Sequence, residues 1–146
     1  MREADRGRVS EPEPTRRAGA RVTLGRNLVA IVAWGFVAAV VAQVYLAGTG
    51  VFRQPQNFEM HATFGHVLEI VAVAMLVLLV LVRGSRLQIG LSVLLVVLVV
   101  GQNVFVAIRD TNPELAALHT VNAVVILVAS IVLARTTWRL GGLTDL

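Results

Sequence analysis

Residues 62–82 read ATFGHVLEIVAVAMLVLLVLV, residues 83–86 read RGSR, and residues 87–108 read LQIGLSVLLVVLVVGQNVFVAI. These two apolar stretches, parted by a short basic turn, decide the fold class. A helix rises about 1.5 Å per residue, so about 20 apolar residues cross the roughly 30 Å hydrocarbon core of a bilayer. Val and Ile are abundant in both, yet the period-2 alternation of a strand is missing, and an open strand would leave its backbone groups unpaired in lipid. Both stretches therefore read as membrane helices, and the tight turn makes them antiparallel neighbours.

Outward from this pair, residues 28–47 and 115–134 are two further apolar stretches with no Arg or Asp inside them. The chain reads as all-α, an integral membrane up-down four-helix bundle, with a transmembrane domain at 27–135 and spans at 28–47, 62–82, 87–108 and 115–134. Gly48, Thr49, Gly50 and Pro55 mark the first connection, which runs to Met60 and is the longest; Gly84 and Ser85 mark the second, Asn112 and Pro113 the third. In the third, Asn112 suits a helix cap, Pro113 the first helical position, and Glu114 the helix dipole. Gly35 and Ala39 form a small-residue stripe for helix packing, and Trp34 is expected to pack internally.

Composition agrees. The chain has 146 residues, 56% apolar and 15% charged, with a mean hydropathy of +0.75. That is one domain's worth of membrane protein. The absence of cysteine excludes disulfides, thiolate metal sites, iron-sulfur clusters, thiol nucleophiles and covalently attached haem. All 13 basic residues are arginine, a bias that suits a GC-rich bacterial genome. A pI near 11.3 would normally suggest nucleic acid. Here the charge flanks the spans, so the expected partner is the lipid bilayer and not nucleic acid, with a membrane protein partner or a homo-oligomer left open.

Arginine is retained on the cytoplasmic side of short loops. Eleven arginines lie before the first span, between the second and third, or after the fourth, and only Arg53 and Arg109 lie opposite. Both termini are thus expected in the cytoplasm of a multi-pass cell-membrane protein. Residues 1–26 read as a disordered basic tail and 136–146 as a second cytoplasmic tail. Arg16 and Arg17 are followed by Ala18, Gly19 and Ala20, and then by an apolar run too long for a signal peptide.

Polar residues inside the spans form a layer near the outer face. By helical rise, Gln43, His66, His119 and Asn103 lie about 6 to 8 Å inside the outer boundary, and Glu69, Gln102 and Asn122 about 9 to 11 Å inside. Such groups are costly in hydrocarbon and normally face the bundle interior. Glu69 lies about 60° around the helix from His66, so the two can share a face, with Gly65 and Ala72 beside them leaving room for a neighbour. His66 and His119 share a depth on the second and fourth spans, which are diagonal partners in an up-down bundle. Their imidazoles are expected to converge on the axis, a geometry suited to axial ligation of a b-type haem.

In that arrangement His66 and His119 are the metal ligands, Glu69, Gln102 and Asn122 tune the site, and Arg53 and Arg109 pair with propionates. A structural hydrogen-bond network, or a proton or ligand pathway through Glu69 and His66, stays open beside it. His61 reads as interfacial, and since it points about 140° from His66 on a helix the two lack zinc-ligand spacing. Motifs for hydrolase or nucleotide chemistry are missing, and no residue is placed for covalent catalysis, so an enzymatic role is left undecided.

The starts of the second and fourth spans, Met60-His61-Ala62-Thr63-Phe64-Gly65-His66 and Leu115-Ala116-Ala117-Leu118-His119-Thr120-Val121-Asn122-Ala123, resemble an uncharacterised bacterial family of small four-span membrane proteins. That resemblance implies the four-helix membrane architecture and no activity. More distantly, the arrangement is similar to one four-helix half of the haem A synthase family, which places histidines on its second and fourth spans. This similarity implies His66 and His119 as the haem ligands, although Val67 and Thr120 stand where that family often has arginine.

Overall fold

A computed structural model describes residues 13–138, with side chains from residue 23 onward. The helices are α1 (Glu13–Phe52), α2 (Asn57–Leu81), α3 (Arg86–Ala107), α4 (Pro113–Ala116) and α5 (Leu118–Trp138). Four segments are long and apolar enough to cross a membrane: Thr23–Phe52, Asn57–Leu81, Arg86–Ala107, and Pro113–Trp138, which joins the single turn α4 to α5. No strand occurs among the described residues. The protein is an all-helical multi-pass membrane protein.

Each long helix packs against two other long helices. α1 lies between α2 and α5, α3 completes the ring on their other side, and the backbones of α1 and α3, and of α2 and α5, stay apart across the bundle. The second and fourth spans are thus diagonal, as the short connections require. The bundle has an Arg-flanked end, with Arg26, Arg83, Arg86 and Arg135, and a far end carrying the turns at 53–56 and 108–112.

Two boundaries differ from the sequence expectation. α1 already begins at Glu13, so residues 13–26 are helical rather than part of a disordered tail. Helix elongation adds one bond per residue once a span has nucleated, and the Glu, Arg and Ala of this segment are good helix formers. Residues 1–12 and 139–146, where the rest of the expected tails fall, lie outside the described residues. α1 also continues to Phe52, which reduces the first connection to residues 53–56. A Cβ at Gly50 would come within 2.9 Å of the Phe58 ring, so glycine lets the end of α1 and the start of α2 meet this closely.

Most of the buried residues fall on one seam per helix: Val29, Ala33, Phe36 and Val40 on α1; Leu68, Ala72, Met75 and Leu79 on α2; Gln88, Ser92, Leu95 and Val99 on α3; Ile126, Ser130, Leu133 and Thr137 on α5, with buried Ala30, Ala129 and Ala134 widening the seams of α1 and α5. All four seams repeat with steps of four, three and four residues. This is the two-per-heptad spacing that keeps a slightly supercoiled helix in contact with its neighbours. The remaining faces are apolar too and stay exposed, Ile31, Ile70, Val97 and Val124 among them. Trp34 lies outside the seam and is 39% exposed, not packed internally as its depth suggested.

The turn from α2 to α3 is built from local bonds. Gly84 N donates to Leu79 O at 2.8 Å and Arg83 N to Val80 O at 3.1 Å, the paired bonds of a Schellman motif, with Arg83 left-handed at φ 54°. A left-handed residue with a Cβ costs about 1 to 2 kcal/mol. Arg83→Gly is therefore expected to stabilise the bundle by roughly 1 kcal/mol in detergent-mixture unfolding; an unchanged or lower midpoint would refute the strain at this residue. α3 opens with a reciprocal cap between Ser85 and Gln88. Before α4, Asn112 Oδ1 accepts from Leu115 N at 3.1 Å and Pro113 takes the first helical position, as the sequence indicated.

Candidate functional site

Continuing each seam toward the far end, by three residues on α1 and α3 and by seven on α2 and α5, reaches a polar residue on every long helix. Three residues beyond Val40 is Gln43, seven before Leu68 is His61, three beyond Val99 is Gln102, and seven before Ile126 is His119. Helical periodicity alone turns these four side chains inward.

Gln43 and His61 bind each other across α1 and α2. Gln43 Nε2 donates to His61 O at 2.9 Å, and His61 Nδ1 lies 3.1 Å from Gln43 O. Because a carbonyl only accepts, Nδ1 is the donor in this bond. The His61 ring stands edge-on to His119, with centroids 6.1 Å apart and planes at 61°, and edge-on to Phe58 at 6.4 Å. His119 also lies beside the main chain of Gln102. Gly65 gives Gln43 its space, since a Cβ there would be 3.1 Å from Nε2.

Three buried atoms in this cluster, Gln43 Oε1, Gln102 Oε1 and His119 Nδ1, have no hydrogen-bond partner among the protein atoms. The two amide oxygens can only accept, so the cluster suits a small hydrogen-bond donor such as water. The sequence read His61 as interfacial; α2 starts at Asn57, which puts His61 in the second turn of the helix, and its ring turns toward α1 and α5.

A second group lies elsewhere. His66 is five residues past His61, about 140° around α2, and its side chain is 66% exposed. Its Nδ1 is 3.5 Å from Glu69 Oε1, which also accepts from Asn103 Nδ2 at 2.8 Å. Side chains tilt toward the N-terminus of their own helix, so on antiparallel α2 and α3 Glu69 and Asn103 lean toward each other. Asn122 stands apart, donating through Nδ2 to Leu98 O at 2.9 Å between α5 and α3.

The residues expected to form one site thus divide: His66 and Glu69 join Asn103 on the outward side of α2 and α3, His119 and Gln102 join His61 and Gln43 inside, and Asn122 bonds separately. His66 and His119 are not brought face to face, because His66 lies about 140° around α2 from His61, the residue that meets His119. The residues present do not fit a haem gripped by that pair. A cavity of about 310 Å³ lined by Tyr45, Gly48, Thr49, Phe52 and Arg53 includes no histidine. Among the described residues no three His, Asp or Glu side chains cluster as a metal site.

The Arg-flanked end holds a polar junction that sequence reasoning passed over. Gln88, 2% exposed, accepts from Ser85 N through Oε1 at 2.9 Å and donates from Nε2 to Thr136 O at 3.0 Å. It caps the first turn of α3 and ties it to the last described turn of α5. The signal was available as Ser85-Arg86-Leu87-Gln88, a capping-box spacing.

Fold and polar groups together define a small multi-pass helical membrane protein in which several polar side chains of the spans bond from helix to helix. Residues 43–108 match a family of unknown function, DUF6220. The match runs from Gln43 to the end of α3, covering His61, His66, Glu69, Gln102 and Asn103 and stopping short of His119. No curated protein and no solved structure matches the chain, and the likeness to haem A synthase finds no support.

Proposed function

We propose that this chain is a non-enzymatic subunit of the cell membrane, an assembly component whose polar layer holds its helices in register. The observation that carries the reading is how the polar side chains are spent. Gln43 bonds with His61, Asn103 with Glu69, Asn122 with Leu98 and Gln88 with Thr136, each across neighbouring helices. In lipid the hydrophobic effect does not drive helices together, and an interhelical hydrogen bond contributes about 0.6 kcal/mol on average and up to about 1.7. Several such bonds select one register among sliding alternatives that apolar faces alone leave nearly equal. The arginine split supports an orientation with the Arg-flanked end in the cytoplasm.

A proton relay is disfavoured by the seam. From Leu68 to Leu79 on α2, from Ser92 to Val99 on α3 and from Ile126 to Leu133 on α5, the buried residues offer only the hydroxyls of Ser92 and Ser130, neither of them ionisable, and that of Ser130 is spent on Leu127 O. A proton reaching His119 or Glu69 has no ionisable group to follow toward the Arg-flanked end.

The test joins an absorption spectrum with a flux assay. Protein expressed with added haem is expected to purify colourless. Vesicles containing it should hold a pH gradient as well as empty ones, and Glu69→Gln should fold with a stability loss below about 1 kcal/mol. A Soret band that vanishes in His119→Ala, or a proton leak abolished by Glu69→Gln, would overturn the reading.

A further inference from the structure

The pair formed by His66 and Glu69 lies on the outward face of a helix long and apolar enough to cross the membrane. Glu69 is the middle residue of α2, about 18 Å along the axis from either end. His66 is one turn nearer the far end. Ionisable side chains at such depth normally face a protein interior, where they find partners. Here the bundle provides one: Asn103 bonds a single Glu69 oxygen, Oε1, and His66 meets Glu69 through Nδ1 only. The second carboxylate oxygen and the far ring nitrogen of His66 are left over.

We infer that this face of α2 is the contact surface for a second copy of the chain, packed about a two-fold axis. An isologous contact needs a patch that matches itself, and this patch carries an imidazole beside a carboxylate, with His66 Nε2 and Glu69 Oε2 unspent and the two groups opposite in charge when His66 is protonated. Across a two-fold axis each His66 reaches the Glu69 of the other copy, three residues away in height, and both ionisable groups leave the lipid. Ala62 and Thr63, exposed just above His66, allow the helices to approach, and Ile70 and Val73 extend the face as an apolar strip. This rests on the assembly reading above and names its partner.

The chain has no cysteine, so single-cysteine variants report contacts without background. Ile70→Cys and Val73→Cys are placed in phosphatidylcholine vesicles beside Val124→Cys, which lies on the exposed side of α5. Mild oxidation is expected to link the two α2 variants into dimers and leave the α5 variant monomeric. His66→Leu, an exposed change that removes the contact with Glu69 and leaves the Glu69–Asn103 bond in place, should raise the protein-to-lipid ratio needed for half-dimerisation by about tenfold, with helicity unchanged. Equal linking from both faces, a monomer at every ratio, or dimerisation indifferent to His66→Leu would each overturn the inference. A folded, colourless, proton-tight monomer defeats the dimer while leaving the assembly reading intact; a Soret band or a proton leak defeats that reading whatever the oligomeric state.

Discussion

Phe36→Ala is expected to destabilise the bundle by about 3 kcal/mol in detergent-mixture unfolding. Phe36 is the largest of the fully buried side chains, 1% exposed at the centre of the α1 seam and within the core cluster that all four long helices share. Lipid tails are as apolar as the core, so the loss comes from the packing contacts that a cavity forfeits, which places the effect at the lower end of the range for soluble cores. Ile31→Ala on the same helix removes a side chain that is 68% exposed, and should cost little. Equal losses at the two positions would mean that the seam is not where α1 packs.

Gln88→Leu is expected to cost about 2 to 4 kcal/mol, more than any other polar-to-apolar change in the bundle. Leucine keeps the volume and the apolar contact but leaves two backbone groups without their partner. Ser85 N belongs to the start of α3. Thr136 O lies in the last described turn of α5 and accepts from Gln88 Nε2. One substitution thus uncaps the start of α3 and unties it from α5. Asn122→Leu removes a single bond, to a carbonyl inside α3 that keeps its helical partner, and should cost less than about 1.7 kcal/mol. A Gln88→Leu loss no greater than the Asn122→Leu loss would refute this two-bond account.

The relation of the two histidine groups shows where sequence reasoning stopped. Depth was legible: counting residues along a helix put Gln43, Gln102, Asn122 and His119 in one layer, and the structure brings Gln43, Gln102 and His119 there with His61. Azimuth was not. His66 was chosen as the partner of His119 because it shares a depth, yet it lies on the far side of α2 from His61, the residue that meets His119. The Gly65 position worked as expected, opening space at the α1 and α2 contact, although what fills the space is the Gln43 amide. Gln88 and Ser92 carried the information needed to phase α3, since both are polar residues on its seam in an otherwise apolar half.

The amino-acid sequence by itself determined that this chain forms four membrane-crossing helices, how short connections order them, where α4 is capped, and at which heights the polar groups lie. Those properties depend on length, composition and local turn chemistry, which act residue by residue along one helix. Only the tertiary structure decided which stripe of each helix faces inward, and with it that His61 rather than His66 meets His119 and that His66 and Glu69 point outward. The reason is physical. In water an apolar stripe on a polar helix announces its own direction, but in lipid both the core side and the outer side are apolar, so rotation about the helix axis is settled by packing and by a few interhelical hydrogen bonds that exist only once the helices have met.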